Sequence, residues 1–283
     1  MTLTISRKML AAFAAVTLAC TMGLAALAPQ SAHAAQATAT PLTTQAASAD
    51  DSLATQAAKK SVYVRKSTSY KKYTYNKYGL ITRVTNVNPG QVDVNYKFKY
   101  KGTKLVKMWQ LNGTSVNAVY TIKYDSKNRV KSITVKSDGM PADYYNNTQV
   151  FTYNKKGLAT KKVTHNATSG TKYTTKYAYN AKGQLTKITQ PGSTETMAYD
   201  AHGSMTKWIT KYSNRENRAS TYKNTYKNGC LVKIEQTDES GYSRAYAAKY
   251  KKMSIPKKYA AAVEKQQLAL RQTIPGSVIS WMN

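Results

Sequence analysis

A tyrosine-anchored motif, Tyr-x-Tyr-Asn/Asp-x-x-Gly-x-Leu-Thr-Lys-Ile, recurs seven times between Tyr73 and Ile234, and a degenerate eighth copy follows near Tyr250. Its clearest copies are Tyr177-Ala-Tyr-Asn-Ala-Lys-Gly-Gln-Leu-Thr-Lys-Ile188 and Tyr73-Thr-Tyr-Asn-Lys-Tyr-Gly-Leu-Ile-Thr-Arg-Val84. The anchoring residues Tyr75, Tyr100, Tyr124, Tyr153, Tyr179, Tyr199, Tyr226 and Tyr250 are spaced by about 20 to 29 residues, the range of stacked supersecondary units. Each copy reads as one hairpin. The expected fold is therefore all-β, an array of antiparallel β-hairpin repeats forming an extended sheet or open β-solenoid, closed off by a short C-terminal helix.

Strand character runs through residues 61–255. Tyr, Thr, Val and Ile dominate, with two-residue alternation in Val92-Asp-Val-Asn-Tyr-Lys-Phe-Lys-Tyr100. The Asn or Asp after the anchoring tyrosine starts a turn by accepting local backbone hydrogen bonds, and the Gly three residues later tolerates positive φ. Asn76 with Gly79, Asn154 with Gly157, Asn180 with Gly183 and Asp200 with Gly203 fit this pairing. Asn128 stands in for the glycine in the third copy, and Asn228-Gly229 is a two-residue hairpin signal. The twenty-three tyrosines against three phenylalanines suit a thin structure in which rings pack between repeats while hydroxyls reach backbone or water.

The flanks differ. Residues 1–34 read as a signal peptide, with Arg7 and Lys8 before an apolar stretch and Ala32-His33-Ala34 as a cleavage site. An uncleaved membrane anchor and lipoprotein processing at Cys20 are the competing readings. Residues 35–60 are rich in Ala, Thr, Gln and Ser and read as a flexible spacer. Residues 256–283 hold a helix from Lys257 to Arg271, with Tyr259, Val263 and Leu270 as its apolar stripe, expected to cover the last edge strand, followed by a tail.

The motif is similar to the YD repeat of the RHS-type family of bacterial surface and secreted proteins, over about Tyr73 to Tyr250. That resemblance implies β architecture and an envelope location. In the family such repeats encapsulate toxins, bind carbohydrate or serve as extracellular scaffolds; this chain has too few copies to enclose a toxin.

No reaction is named by the residues. His165 and His202 fall in loop or turn positions, Asp125 and Asp200 start turns, and Asp138, Asp143, Glu216, Asp238 and Glu239 fall between hairpins. Asp238 and Glu239 are adjacent, which on a strand points them to opposite faces rather than across a scissile bond. Cys230 lacks a partner histidine nearby in sequence and reads as a small apolar residue. The expectation is a non-catalytic protein with no cofactor and no metal.

Charge carries the functional reading. The chain has a formal charge of +30, and losing Arg7 and Lys8 with the leader leaves +28. Only eight of its 43 basic residues are arginine, which favours a delocalised polyanion over one bidentate ligand. The basic position before the last residue of the motif is Arg83, Lys107, Lys161, Lys187, Lys207 and Lys233, broken by Ser132. In register these form a candidate polyanion-binding ladder, although strict alternation places each on the same face as the motif leucine, a conflict that a β-bulge, or a lysine stem lying over apolar surface, would remove. The expected partners are anionic wall polymers, acidic glycans or an anionic membrane surface; an extracellular protein or glycan recognised by a tyrosine-rich face and the inter-hairpin loops is the alternative, and nucleic acid ranks below both.

Overall fold

The computed structural model describes residues 58–87, 94–137 and 146–272. The leader, nearly all of the spacer, the Pro89-Gly90 and Asp138-Gly-Met-Pro141 loops, Asp143 and the tail after residue 272 lie outside the described residues.

The strands, in order, are β1 (Lys59–Thr68), β2 (Lys71–Tyr75), β3 (Ile81–Asn86), β4 (Val94–Lys101), β5 (Lys104–Asn112), β6 (Ser115–Tyr124), β7 (Val130–Ser137), β8 (Asn147–Tyr153), β9 (Ala159–Asn166), β10 (Lys172–Tyr179), β11 (Leu185–Gln190), β12 (Ser193–Tyr199), β13 (Met205–Tyr212), β14 (Arg218–Lys227), β15 (Cys230–Asp238) and β16 (Ser243–Pro256). A 3-10 turn (Lys257–Tyr259) leads into helix α1 (Ala260–Gln272). Every strand pairs antiparallel with its sequence neighbours, and β16 pairs with β1, so the sheet is a closed sixteen-strand barrel. The open sheet or solenoid expected from the repeat is thereby corrected. The α-helix expected from Lys257 starts at Ala260, after the 3-10 turn, Pro256 ends β16, and Lys59 and Lys60 of the segment read as spacer begin β1.

The closure uses the repeat itself. In each of the seven hairpins the pairing slips by one residue at the anchoring tyrosine, as where Ala178 pairs Lys187 but Tyr179 pairs Leu185, leaving Thr186 bulged. The same slip recurs at Tyr75, Tyr100, Tyr124, Tyr153, Tyr199 and Tyr226. Between β16 and β1, Tyr250 pairs Arg65 and Lys249 pairs Ser67, so Lys66 is bulged in the same way. The eighth copy is therefore split. Its tyrosine half lies near the C-terminus and its return half is β1, so both edges of an otherwise open sheet are paired and no row of backbone donors and acceptors remains exposed at an edge.

The tyrosine hydroxyls stitch successive copies together. Four donate to the carbonyl that opens the return strand of the copy before: Tyr124 to Leu105 at 2.9 Å, Tyr153 to Val130 at 2.5 Å, Tyr179 to Ala159 at 2.8 Å and Tyr199 to Leu185 at 2.7 Å. The series continues through the split copy, with Tyr250 donating to Leu231 at 3.0 Å and Tyr75 to Arg65 at 2.6 Å. In the seventh copy Tyr226 donates instead to the Asp200 carboxylate at 2.6 Å, while Asn224 Nδ2 reaches the Met205 carbonyl. Burial raises the phenols of Tyr75, Tyr124, Tyr153, Tyr179, Tyr199 and Tyr226 above their ordinary range, to about 12 for Tyr124 and Tyr226, so these six remain donors at physiological pH. Tyr179→Phe removes one such bond and is expected to cost about 1 kcal/mol in urea unfolding, whereas Tyr242→Phe, at a ring 60% exposed, is expected to change nothing measurable.

Alternation assigns the two faces. Inward positions include Tyr73, Ile81, Val84, Phe98, Met108, Ile133, Leu185, Ile188 and Met205, all buried in one continuous core that strands around the ring share. Outward positions are mostly Lys and Thr, as in the exposed Lys97, Lys99, Thr121, Lys176 and Thr221. This arrangement is inverted relative to barrels that cross membranes, whose outer face carries an apolar band.

Helix α1 follows β16 and packs against the barrel at the end where the motif turns lie. Ala260 and Val263 pack with Val62, Val64, Leu80 and Ile255, while Ala269 and Leu270 join the main core. Since the barrel has no edge, the helix covers none. Gln266, which interrupts the apolar stripe in sequence, and its neighbour Gln267 make specific contacts. Gln267 Oε1 accepts the Arg65 amide at 2.9 Å, Gln266 Oε1 accepts the Ile81 amide at 3.3 Å, and Gln266 Nε2 donates to the Tyr100 hydroxyl at 3.0 Å. Gly79 shows why one motif turn must be glycine. Its φ is 79°, and a Cβ there would lie 3.0 Å from Val263 Cγ2 and 3.1 Å from Ile255 Cγ2, against the helix seat.

Candidate polyanion-binding face

The bulge decides where the basic residues point. Leu185 and Ile188 are both buried although three residues apart, because Thr186 is the extra residue and its hydroxyl donates back to the Ala178 carbonyl at 3.3 Å. Lys187 is consequently turned outward. The same geometry exposes Arg83, Lys161, Lys207 and Lys233, and leaves Lys107 half-buried. These residues occupy β3, β9, β13, β15 and β5, and Lys187 occupies β11, so the ladder lies on alternate strands, roughly 10 Å apart, and closure bends it into a belt around the outside. At the gap on β7, Ser132 pairs with Lys123 of β6, an exposed lysine.

The partner strands add charge that the motif did not reveal. Arg83 pairs with Lys97, Lys107 with Lys99, and Lys161 with Lys176. Directly opposite like charges repel, so each such pair is a place where a bound anion relieves a local cost. The signal for Lys97 and Lys99 was present in sequence, since alternation with Tyr96, Phe98 and Tyr100 puts both on the outer face. The rungs are not equivalent. Lys233 is neutralised by Glu235, with Nζ to Oε1 at 2.5 Å, and Lys233 holds that carboxyl below its usual range.

Asp125, Asp200, Asp238 and Glu239, weighed above as chemistry, hold turn and loop backbone. Asp238 Oδ1 accepts the Ser240 and Tyr242 amides, and Glu239 Oε2 accepts the Ala219 amide at 3.1 Å. Asp125 Oδ1 accepts the Lys127 and Arg129 amides, and its other oxygen pairs with Arg129 at 2.7 Å. Asp200 Oδ1 accepts the His202 and Ser204 amides. The turn asparagines act alike: Asn76 accepts from Leu80, Asn154 from Leu158 and Asn180 from Gln184, while Asn128 has φ 61°. His202 packs on the Tyr226 ring, 4.2 Å between centroids, and Cys230 is buried. Among the described residues no three of His, Cys, Asp and Glu gather as a metal cluster.

Three charged groups inside the barrel were not singled out from sequence. Arg65 is buried, donating to the Leu270 carbonyl at 3.2 Å and to the Tyr250 hydroxyl. Lys162 is 1% exposed and Glu195 7% exposed. Glu195 Oε2 accepts the Trp208 indole N–H at 3.0 Å; burial raises its pKa, which that bond and nearby Lys162 partly offset.

Fold and surface together define a closed barrel of tyrosine-stitched hairpins with a basic exterior. The chain carries an RHS repeat: residues 179–211 match the family model described as RHS Repeat. No curated protein matches significantly. Among solved structures, the Photorhabdus luminescens Tc holotoxin pore aligns at 13% identity and TM-score 0.30, covering 62% of this chain and 9% of that one. A TcdB2-TccC3-TEV structure aligns at 15% identity and TM-score 0.29, covering 59% and 11%. A porin-like protein from Bacteroides uniformis aligns at 14% identity and TM-score 0.43, covering 64% and 89%. The chain thus spans about a tenth of the length of the toxin chains it matches.

Proposed function

We propose that this is a non-catalytic, secreted bacterial protein of the cell envelope that binds anionic polymers through its outer belt of lysines. The observation that carries the reading is the outward placement of Arg83, Lys107, Lys161, Lys187, Lys207 and Lys233 by a bulge repeated in each hairpin, with facing lysines on the partner strands. A row of ammonium groups at strand spacing neutralises a flexible polyanion and releases its counterions, so binding is steeply salt-dependent and weakly selective. The repeat match and the leader-like N-terminal sequence support the envelope location.

A salt titration of the purified protein on isolated bacterial walls tests this, with walls stripped of phosphate polymers alongside. Release between low and moderate salt and loss of binding on stripped walls are expected. Retention that salt leaves unchanged contradicts the proposal. The alternative, recognition by a tyrosine-rich face, loses weight because the anchoring tyrosines pack against the core and bond to backbone within the fold.

A further inference from the structure

The basic belt is not uniform. On the outer face of β3 to β7 one cross-strand row runs Arg83, Lys97, Trp109, Val119, Lys136. The next row, two residues along the strands, runs Lys99, Lys107, Thr121, Thr134. Trp109 faces outward because its neighbour Met108 is fully buried, and the ring is half-buried, flanked by Lys97 on one side and by Val119 and then Lys136 on the other. Five cations thus share these two rows with one indole. These rows contain no carboxylate, in contrast to β15, where Glu235 neutralises Lys233.

From this placement we propose that the Trp109 patch is a subsite for an acidic polysaccharide, a deepening that rests on the polyanion reading above. The pyranose ring stacks its C–H face on the indole, and the carboxylate or phosphate of the same or the next sugar sits between Lys99 and Lys107. The Lys107 ammonium lies over the Trp109 ring at 5.0 Å, an exchangeable contact at a partly exposed site. An anion held between Lys99 and Lys107 draws that ammonium away and uncovers the indole face, so charge neutralisation and ring stacking are coupled. A bare phosphate chain would make no use of the indole. A nucleic-acid strand is the weaker fit, since tracking successive bases calls for successive aromatic platforms, whereas the other members of these two rows are aliphatic, hydroxyl or cationic.

The test compares wild type, Trp109→Ala and Trp109→Tyr for binding to alginate oligosaccharides, dextran oligosaccharides, polyphosphate and oligo(dT) at fixed salt, with thermal melts to establish that the variants are folded. A Lys161→Gln/Lys176→Gln/Lys187→Gln variant measures the loss due to charge alone elsewhere on the belt. Trp109→Ala is expected to weaken alginate binding about tenfold, the loss typical of one stacking platform, with polyphosphate binding unchanged, dextran binding negligible throughout and partial recovery in Trp109→Tyr. Unchanged alginate affinity in Trp109→Ala, with salt-dependent polyphosphate binding intact, overturns the subsite and leaves the general polyanion reading standing. An equal loss toward oligo(dT) overturns the polysaccharide assignment in favour of nucleic acid. Salt-insensitive binding of polyphosphate and alginate by wild type defeats both.

Discussion

Deleting residues 1–68, which removes β1, is expected to abolish the folded barrel. Strand β1 is the return half of the split eighth copy, pairs with both β16 and β2, and holds the seat of α1 through the amide and guanidinium of Arg65. Its loss exposes the long edge of β16, takes the Arg65 guanidinium from the Tyr250 hydroxyl and the Arg65 carbonyl from the Tyr75 hydroxyl, and leaves the apolar face of the helix without Val62 and Val64. Domains of this kind have total stabilities of about 5–15 kcal/mol, and the contacts removed are of that order, so the expected result is loss of a cooperative melt and appearance of aggregates. A synthetic peptide of the β1 sequence, added in trans, is expected to restore the melt by strand addition. A truncated protein that melts as wild type does would show that the array is stable as an open sheet.

The second large effect concerns the buried charges. In the motif, Lys162 occupies the position of the terminal apolar residue, which is Val84, Met108, Ile133, Ile188 and Ile234 in other copies. The bulge therefore turns Lys162 inward, where it is 1% exposed and, among the described residues, has no carboxylate within ion-pair distance. Replacing both charges, with Lys162→Ile restoring the repeat and Glu195→Gln keeping an acceptor for the Trp208 indole, is expected to raise stability by about 1–4 kcal/mol, because two buried charges are exchanged for neutral groups. Glu195→Ala in wild type is expected to destabilise by about 3–5 kcal/mol, since it removes the counter-charge that Lys162 feels and the acceptor of Trp208. In the Lys162→Ile background that cost should shrink, which a double-mutant cycle in urea unfolding measures. The pH dependence has a definite sign. Burial raises the folded-state pKa of Glu195 above the 4.5 of the unfolded chain, so the folded state binds the proton more tightly. This carboxyl's contribution to stability therefore rises as pH falls through its folded-state pKa toward 4.5, with no further gain below.

Most of the local structure is legible from the repeat. The strand content, the hairpin turns at Asn76 to Gly79 and Asn228-Gly229, and the C-terminal helix follow from alternation, turn chemistry and helix propensity. Closure was not legible, and the reason is specific: β1 carries Arg65-Lys-Ser-Thr68 where the motif has Leu-Thr-Lys-Ile, and it lacks the Asn-x-x-Gly turn because no turn joins it to β16. Only the shared bulge register reveals it as a repeat half. The outward direction of the ladder depended on the bulge as well, since strict alternation places Leu185 and Lys187 on one face and the inserted Thr186 separates them. Lys161 and Lys162 show the limit most clearly. Composition cannot say which of two adjacent lysines is buried; register does.

The measurement that bears most directly on the function is the salt slope of polyphosphate affinity for wild type and two variants. One replaces Arg83, Lys107, Lys161, Lys187, Lys207 and Lys233 by glutamine, and the other replaces six exposed lysines at the motif turns, Lys101, Lys127, Lys155, Lys156, Lys182 and Lys227. The belt variant is expected to bind more weakly with a shallower slope, by about 0.7–0.9 for each cation that had been in contact, while the turn variant stays close to wild type. Equal slopes in wild type and the belt variant, or an equal loss in both variants, would contradict binding by the belt.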